Sequence, residues 1–410
     1  MNIKKINENI YMLSMSIDDM MFEGMWELPQ GVSLNSYIVK GDKIAIIDGF
    51  IGWDGVAETL YEALNKIDIN PEDIDYLIVN HTEPDHSGWL EDFKKINTRF
   101  QLLATVKSVD MVKAFYGEDI EISVVKEGDT IDLGQGLCLE FHPVPNVHWP
   151  ETMISYERKT KTLFSCDLFG AFGKMNDIVF DDEMTKEQDA LYEIESVRYF
   201  SNVMTTFSTM AERAIKKTKT LALDMIAPGH GPVYRNHPKK IIDDYERYTQ
   251  YAKGFGKHQI TIIWGSMYGM TGKGVRFVEK ILEREGIPYQ SLRMPQTSQS
   301  DMVTQVFQSA GVILAMPTYE YKMFPPVAHA IDKLGRKRIT NKQAFRFGSF
   351  GWSGGAEKEL VQLMEKHRLN WNFVESVEFK GAPLSIDFQY IESGVMNLVQ
   401  AMKEKTLSIK

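Results

Sequence analysis

The sequence predicts an α/β protein of two domains, in which a mixed sheet domain precedes a doubly wound parallel sheet. Its 410 residues suggest two or three domains, at roughly 150 residues per domain. Up to about residue 226, strand-like runs outnumber helical patterns and hairpin signals mix with crossovers, which excludes a simple doubly wound sheet. From about residue 258, strands and helices alternate strictly. We place the change near 254–256 and therefore expect domains at 1–254 and 255–410.

Short runs rich in β-forming residues predict the strands of the first half. Gly41 lies in a four-residue turn between the first two runs, which indicates a hairpin. Helical patterns occupy about 56–66, 88–95, 186–217 and 238–252. The predicted strands are 36–39, 44–47, 76–79, 101–104, 137–141, 162–165 and 222–227.

Five strand–helix units in the second half predict a doubly wound parallel sheet. The predicted strands are 260–264, 289–293, 312–316, 344–349 and 372–377. The helices that follow them are 272–284, 301–309, 327–334, 356–367 and 390–403.

Composition excludes several classes of protein. An apolar content of 43% is too high for a disordered chain. The net charge of −10 and the absence of basic runs argue against a nucleic-acid partner. No apolar run reaches the ~20 residues of a membrane span, and the first residues lack the apolar core of a signal peptide. We therefore expect a soluble, cytoplasmic protein that binds neither nucleic acid nor membrane.

The cysteine content limits the chemistry of any metal site. The two cysteines, Cys138 and Cys166, form no Cys-x-x-Cys pair, so a disulfide framework and thiolate-built iron or zinc sites are excluded. We expect nitrogen and oxygen ligands for a metal. Because the sequence holds no rubredoxin-type site, an external molecule is expected to supply any electrons.

The segment from Asn80 to Gly88 concentrates potential metal ligands directly after a predicted strand. His81, Glu83, Asp85 and His86 fall within six residues, a spacing that isolated surface histidines do not explain. In an extended loop, His81, Glu83 and Asp85 would point to one side. Ser87 is expected to cap the helix that follows.

Three other predicted strands also end near a histidine or an aspartate. These residues are His148, Asp167 and His230, and their convergence at one sheet edge predicts a site. Four imidazoles and three carboxylates exceed the four ligands of one tetrahedral zinc, so two metals are expected. The carboxylate of Glu83 favours iron or manganese over zinc. His142 and Asp48 are expected to be packed or supporting groups.

Three loops at the carboxyl ends of the second-half strands predict a flavin site. The first, 265–272, joins a strand to a helix and suits a single phosphate. Met267 and Gly274 break the nucleotide-hydrolysing pattern of such loops. The loops 317–322 and 350–355 carry aromatics among small residues, which suits a planar ring but also an ordinary core lid. The candidate residues for flavin mononucleotide (FMN) are Ser266, Met267, Tyr268, Gly269, Met270, Thr271, Pro317, Thr318, Tyr319, Tyr321, Ser349, Phe350, Gly351, Trp352, Gly354 and Gly355.

Together these residues resemble the A-type flavodiiron proteins over about residues 1–405. The resemblance implies an N-terminal αββα metallo-β-lactamase-like sandwich with a diiron site, fused to a flavodoxin-like FMN domain. It implies that His81, Glu83 and His148 bind one iron and Asp85, His86 and His230 the other, with Asp167 bridging. In some members of the family, water replaces the residue that matches His86. Tyr268 departs from the smaller hydroxyl residue that flavodoxins usually have in this loop.

The resemblance also implies an oxidoreductase that reduces O2 to water, NO to N2O, or both, with electrons delivered through FMN. It implies a head-to-tail homodimer, or a tetramer, and rubredoxin, a reductase flavoprotein or reduced deazaflavin as electron donor. Tyr199 is a candidate proton donor near the metals. Two alternatives stay open: a zinc-dependent hydrolase with an appended flavodoxin module, and a non-enzymatic electron carrier with a metal-free first domain.

Overall fold

The computed structural model describes residues 2–18, 21–50, 58–175 and 178–407. The chain divides into two compact units, the first comprising Met1–Phe200 and Phe207–Glu246, and the second Ser201–Thr206 and Arg247–Lys410. Each unit is built from sheets and helices, so the predicted α/β class is confirmed. The predicted boundaries of the two domains, 1–254 and 255–410, stay a prediction.

Two sheets form the centre of the first unit. The seven-stranded sheet contains, in spatial order, β1 (Asn2–Lys5), β2 (Ile10–Ile17), β5 (Val32–Lys40), β6 (Ile44–Ile47), β7 (Tyr76–Ile78), β8 (Gln101–Ala104) and β9 (Ile122–Val124). The five-stranded sheet contains β10 (Thr130–Gly134), β11 (Leu137–Pro143), β12 (Met153–Glu157), β13 (Thr162–Cys166) and β14 (Met225–Pro228). A separate hairpin pairs β3 (Met21–Phe22) with β4 (Trp26–Glu27).

The two sheets of the first unit form a sandwich, because side chains on one face of each sheet pack into a shared core. On β5, Tyr37 and Val39 form one apolar core with Phe141 and Phe164 of the second sheet. Ile38, on the opposite face, belongs to a second core that includes residues of the neighbouring helices. Successive side chains of a strand point to opposite faces, and both faces of this sheet are therefore covered. The predicted αββα architecture is confirmed.

The helices of the first unit correct one prediction. They are α1 (Glu58–Lys66), α2 (Pro84–Ser87), α3 (Leu90–Ile96), α4 (Ser108–Tyr116), α5 (Lys186–Tyr199), α6 (Ser208–Thr218) and α7 (Pro238–Ala252), which continues into the second unit. A single helix over 186–217 is wrong, because a π-turn (Phe200–Met204) and a 3-10 turn (Thr205–Phe207) separate α5 from α6. Thr205 Oγ1 donates to the carbonyl of Ser201 at 2.9 Å, a competing bond that typically bends helices.

The second unit contains the predicted parallel sheet. Its strands, in spatial order, are β16 (Tyr289–Arg293), β15 (Lys257–Trp264), β17 (Ser309–Ala315), β20 (Gln343–Phe350) and β21 (Asn372–Lys380), and all pair in parallel. The first strand of this unit therefore lies between the second and the third. Ligands of such sheets bind where the strand order reverses, outside the carboxyl ends of the strands. Here that position is the edge between β15 and β17.

Helices cover both faces of this sheet, and a short hairpin follows β17. The helices are α8 (Met270–Arg284), α9 (Gln299–Gln308), α10 (Pro325–Arg336), α11 (Ala356–His367) and α12 (Ser385–Leu407), and the hairpin pairs β18 (Thr318–Tyr319) with β19 (Lys322–Met323). Within the described ranges, no helix of either unit is both long and apolar enough to cross a membrane.

A buried lysine in the second unit gives a prediction on stability. Lys342 is fully buried, and its Nζ donates to the carbonyls of Phe307 at 2.7 Å and Ser309 at 2.8 Å. Burial lowers the pKa of Lys342 to about 7. The unfolded lysine has a pKa of about 10.4, so between these values the unfolded chain binds more protons. The free energy of unfolding therefore rises with pH across this window.

We expect Lys342→Met to remove this dependence. Wild type should gain stability relative to the variant as the pH rises from about 7 to about 10, by at most about 1.4 kcal/mol per pH unit. Urea denaturation at several pH values measures the difference. Lys358→Met, at an exposed position of α11, is the control and should leave the slope unchanged. Parallel curves for wild type and Lys342→Met would contradict the prediction.

Candidate metal centre and flavin site

The segment after β7 is a turn into a short helix rather than an extended loop. Pro84 begins α2 and Glu83 precedes it in an extended conformation, as expected for proline at a first helical position. The helical turn separates Asp85 and His86 from His81 and Glu83, so the expected extended loop is wrong. Ser87 ends α2 and does not cap α3, which Trp89 precedes without a side-chain cap bond. The Oγ of Ser87 instead lies 2.8 Å from the carbonyl oxygen of Thr82 and 3.0 Å from that of Glu83.

Four of the predicted side chains meet in a first group, His81, Glu83, His148 and Asp167. Glu83 Oε2 lies 3.0 Å from the Nε2 atoms of both His81 and His148. Asp167 Oδ2 lies 3.1 Å from His148 Nε2 and 3.4 Å from His81 Nε2. Nitrogen and oxygen lone pairs thus converge on one point, as metal binding requires.

The other three side chains form a second group, Asp85, His86 and His230. His86 Nε2 and His230 Nε2 are 3.1 Å apart, and Asp85 Oδ2 lies 3.8 Å and 3.6 Å from them. Asp167 reaches this group with its other oxygen, since Oδ1 lies 3.1 Å from His86 Nε2 and 3.5 Å from His230 Nε2. One carboxylate therefore contacts all four histidines.

Unsatisfied polar atoms show that these residues fit cations. Asp85 is buried, and among the described residues neither of its carboxylate oxygens has a hydrogen-bond donor. A buried carboxylate without a partner costs several kcal/mol, and a cation on the second group would remove that cost. Two imidazole nitrogens 3.1 Å apart can share one proton or bind one metal. The donor set is the one that iron, manganese and zinc accept.

Carboxylates raise the proton affinity of three histidines against the effect of burial. Burial lowers the pKa of His86, but the charge of Asp85 and the bond to Asp167 outweigh it and raise the pKa to about 10. Bonds to Asp167 and Glu83 likewise outweigh burial at His148 and raise its pKa to about 9. Burial dominates at His230, whose pKa is lowered. Metals bind deprotonated imidazole, so metal binding here must release protons.

Buried polar groups behind the seven residues hold them in place. His230 Nδ1 lies 2.8 Å from the carbonyl oxygen of Ser33, which leaves Nε2 for a metal. Asp48 accepts from the backbone N–H of Asn80 at 2.8 Å and is thus a supporting group, and burial raises its pKa to about 6. His142 Nδ1 lies 2.8 Å from Glu127 Oε1 and belongs to neither group. The sequence analysis missed Glu151, whose carboxylate contacts Thr82 and His81.

Aromatic side chains surround the second group. The ring of Tyr199 lies 5.6 Å from that of His230, and the ring of Phe22 lies 6.0 Å from it. Phe22 belongs to the β3–β4 hairpin, for which the sequence analysis predicts no structure or role. Tyr199 is fully buried, and among the described residues its hydroxyl has no hydrogen-bond partner.

The predicted flavin residues lie at the carboxyl ends of β15, β17 and β20. Ser266 to Gly269 form the turn between β15 and α8, in which Gly269 has a φ of +85° and donates to Ser266 Oγ. Met270 and Thr271 begin α8, and Thr271 Oγ1 lies 2.9 Å from Ser349 Oγ at the end of β20. The first and third loops are thereby joined.

The second and third loops approach each other closely. Gly355 has a φ of +147°, and a Cβ there would lie 2.0 Å from the carbonyl oxygen of Tyr321. The rings of Tyr321 and Trp352 are 6.5 Å apart and both are exposed. Pro317 to Tyr319 and Ser349 to Gly354 complete these loops. The first backbone N–H groups of α8 have no partner within the helix and suit a phosphate, and the exposed aromatics of the other two loops suit a planar ring.

An αββα unit with a two-group histidine and carboxylate cluster, in one chain with a flavodoxin-like unit, defines a class of redox protein. The profile of the family described as ODP family beta lactamase matches residues 32–231. The anaerobic nitric oxide reductase flavorubredoxins of Pectobacterium atrosepticum and Escherichia coli O1:K1 are 31% and 32% identical over 347 and 341 residues, in each case 82% of this chain. The chain spans 65% and 69% of the length of these two relatives.

Solved structures give the same result over nearly the whole chain. A mutant flavo di-iron protein of Thermotoga maritima is 26% identical, with a TM-score of 0.88 and 98% of each chain covered. Rubredoxin oxygen:oxidoreductase of Desulfovibrio gigas shares the fold, with a TM-score of 0.90 at 24% identity over 99% of this chain and 100% of that chain. The chain belongs to the flavodiiron protein family, and its class is that of an oxidoreductase.

Proposed function

We propose that this chain reduces NO to N2O, O2 to water, or both, at two irons held by the seven residues of the two groups. The observation that carries the proposal is the position of Asp167, whose carboxylate lies within 3.5 Å of the Nε2 atoms of all four histidines. A carboxylate between two ligand groups suits a bridge between two metals. The name of the curated relatives supports NO as a substrate.

The ligand types favour iron over zinc. Three carboxylates and four imidazoles supply hard and borderline donors without thiolate. The alternative, a zinc-dependent hydrolase, is favoured by the description of the matching profile as a beta lactamase. Metal analysis of protein purified without oxygen decides between them. About two irons per chain support the proposal, about two zincs support the hydrolase, and a chain without metal supports the electron carrier.

The bound irons would supply the electrons to the substrate and open positions for it. The chain's own residues would orient the metals, exclude water and provide protons. Phe22, Phe172 and Tyr199 form an apolar wall beside His230. Burial and the charge of Asp167 raise the pKa of Tyr199 well above its usual value. Its hydroxyl therefore keeps its proton at neutral pH and can donate a hydrogen bond to a substrate.

We expect Tyr199→Phe to lower turnover of the reduced protein by roughly 10²-fold, the lower end of the range for loss of one preorganised hydrogen-bond donor. Turnover with NO and with O2, together with the metal content, measures the effect. Tyr192→Phe is the matched control, because Tyr192 lies on the same helix and donates to the carbonyl of Lys174. Unchanged turnover in Tyr199→Phe would remove this residue from the mechanism.

FMN is proposed to bind at the three loops of the second unit and to pass electrons to the irons. We further propose a homodimer, head to tail, in which the FMN of one protomer lies near the irons of its partner, and rubredoxin, a flavoprotein reductase or reduced deazaflavin as donor. A cytoplasmic location stays a prediction. Sedimentation measures the oligomer, and rates of flavin reduction by each purified donor rank the donors.

Rapid mixing of the fully reduced protein with each gas tests the activity. Oxidation of both irons within the turnover time, with N2O formed from NO or water from O2, supports the proposal. Protein that carries two irons and FMN but is oxidised no faster than free reduced FMN would overturn it.

A further inference from the structure

Glu151 is a fully buried carboxylate between the two segments that carry the first group. Its Oε1 accepts from Thr82 N at 2.9 Å and from Thr82 Oγ1 at 2.6 Å. The backbone carbonyl oxygen of Glu151 accepts from Thr105 Oγ1 at 2.8 Å. Thr82 follows His81 in the chain, and Glu151 follows His148 by three residues. The carboxylate is therefore fixed relative to both histidines.

The Nδ1 atom of His81, on the side of the ring away from Glu83 and Asp167, faces the carboxylate of Glu151. His81 Nε2 points to Glu83 and Asp167, whereas His81 Nδ1 lies 3.5 Å from Glu151 Oε1. Among the described residues, neither His81 Nδ1 nor Glu151 Oε2 has a hydrogen-bond partner, although both are buried. Buried polar atoms are rarely left unpaired. The carboxylate of Glu151 is the acceptor within reach of His81 Nδ1, and a small rotation of either side chain would shorten the 3.5 Å separation to a hydrogen bond.

The second group has a different support. His230 Nδ1 faces the carbonyl oxygen of Ser33 at 2.8 Å, which is a neutral acceptor. Carboxylates and carbonyls behind a ligating histidine both fix the tautomer, but only a carboxylate adds negative charge and raises the basicity of the ring. His81 of the first group and His230 of the second group therefore differ in the charge of the acceptor behind the ring.

We propose that Glu151 is a positioning residue that accepts the Nδ1–H of His81, keeps Nε2 free for the metal, and strengthens metal binding at the first group only. This inference rests on the proposed function in one respect, namely that two metals occupy the two groups. Loss of the Glu151 charge should lower the affinity of the first group for its metal by 10- to 100-fold, the usual effect of removing such a partner.

Timed release of iron to a ferrous chelator tests this inference on the reduced holoprotein. In Glu151→Gln, which keeps the size of the side chain and an acceptor for Thr82, we expect one iron per chain to leave 10- to 100-fold faster and the other at the wild-type rate. Glu127→Gln is the matched control, because Glu127 faces His142 outside both groups, and it should release both irons at the wild-type rate. Mössbauer spectra should show a change at one of the two iron sites.

The outcomes separate a positioning role from a purely structural one. Release of both irons at the wild-type rate, or equal acceleration of both, would overturn the proposal. The melting temperature of the metal-free protein should be the same in wild type and Glu151→Gln. If Glu151→Gln fails to fold, Thr82→Val removes one bond to the carboxylate and keeps its charge, and one iron should then leave faster by less than 10-fold. Equal release rates from Thr82→Val and wild type would count against the proposal.

Failure of the proposed function has a different signature. Wild-type protein that holds two zincs, or that does not reduce either gas, would contradict the function. The same release experiment with a zinc chelator would still test the role of Glu151, because a carboxylate behind a histidine acts on either metal.

Discussion

Replacing Asp167 by alanine should remove both metals and lower turnover by more than about 100-fold. A loss of about 100-fold is the largest usual effect of removing a residue that only holds a metal ligand in place. Asp167 should cost more, because its carboxylate contacts the Nε2 atoms of all four histidines, His81, His86, His148 and His230. Burial raises the pKa of Asp167, but the charge of His81 and bonds to three histidines outweigh burial and hold the pKa well below its usual value. The carboxylate is therefore ionised in the metal-free protein at neutral pH, and bound cations would favour the same charged form.

Metal content per chain and turnover with NO and O2 measure this prediction. Asp167→Asn should behave in the same way, since an amide keeps the size of the side chain but not the charge. Glu157→Gln is the matched control, because Glu157 is also buried but belongs to neither group and accepts from the backbone N–H groups of Cys138 and Thr160, as an amide oxygen can. The control should keep two metals. Two bound metals and wild-type turnover in Asp167→Ala would show that the groups do not share this carboxylate.

The second unit follows from its sequence because parallel strands, buried on both faces, appear as continuous apolar runs. All five of its strands were predictable within a few residues, for example 289–293 at β16. In the first unit, the sequence analysis did not predict β1, β2, β3, β4, β9, β10 and β12. Ser14 and Ser16 interrupt the apolar pattern of β2, and β9 is only three residues long. These strands pair with strands that lie close to them in sequence, so their weak or short apolar patterns, and not long-range pairing, explain why they were missed.

The convergence of the seven site residues was predictable because each follows, or ends, a strand of one of two packed sheets. Their division into two groups was not predictable from spacing alone. The proline at 84 starts a helical turn and rotates Asp85 and His86 away from His81. Binding of metals by these residues stays a prediction.

Glu151 shows what sequence reasoning cannot find. It ends no strand and matches no spacing pattern, and its importance arises only from its contact with His81. A buried acidic residue three positions after a candidate ligand could have drawn attention, because carboxylates are rarely buried without a partner. The interruption of the 186–217 helix is another tertiary effect, although Thr205 and Thr206 lower its helix propensity.

Gly355→Ala should abolish tight FMN binding, with the dissociation constant raised by at least about 100-fold, which corresponds to about 2.7 kcal/mol. A Cβ at this position would lie 2.0 Å from the carbonyl oxygen of Tyr321, and backbone atoms cannot move away as a flexible side chain can. The φ of +147° adds strain for any residue with a side chain. Both the 317–322 and the 350–355 loops would therefore have to shift.

The ratio of flavin to protein after gel filtration, and titration of the apoprotein with FMN, measure this effect. Gly286→Ala is the matched control in the same unit, because Gly286 also has a positive φ, lies outside the three loops, and a Cβ there meets no atom within 4 Å. It should leave FMN binding unchanged. The metal content should be equal in both variants, since the metal-binding residues belong to the first unit. If Gly355→Ala bound FMN as tightly as wild type, the flavin would have to bind away from these two loops. Loss of FMN from both variants would show that backbone strain, and not the contact with the Tyr321 carbonyl, causes the effect.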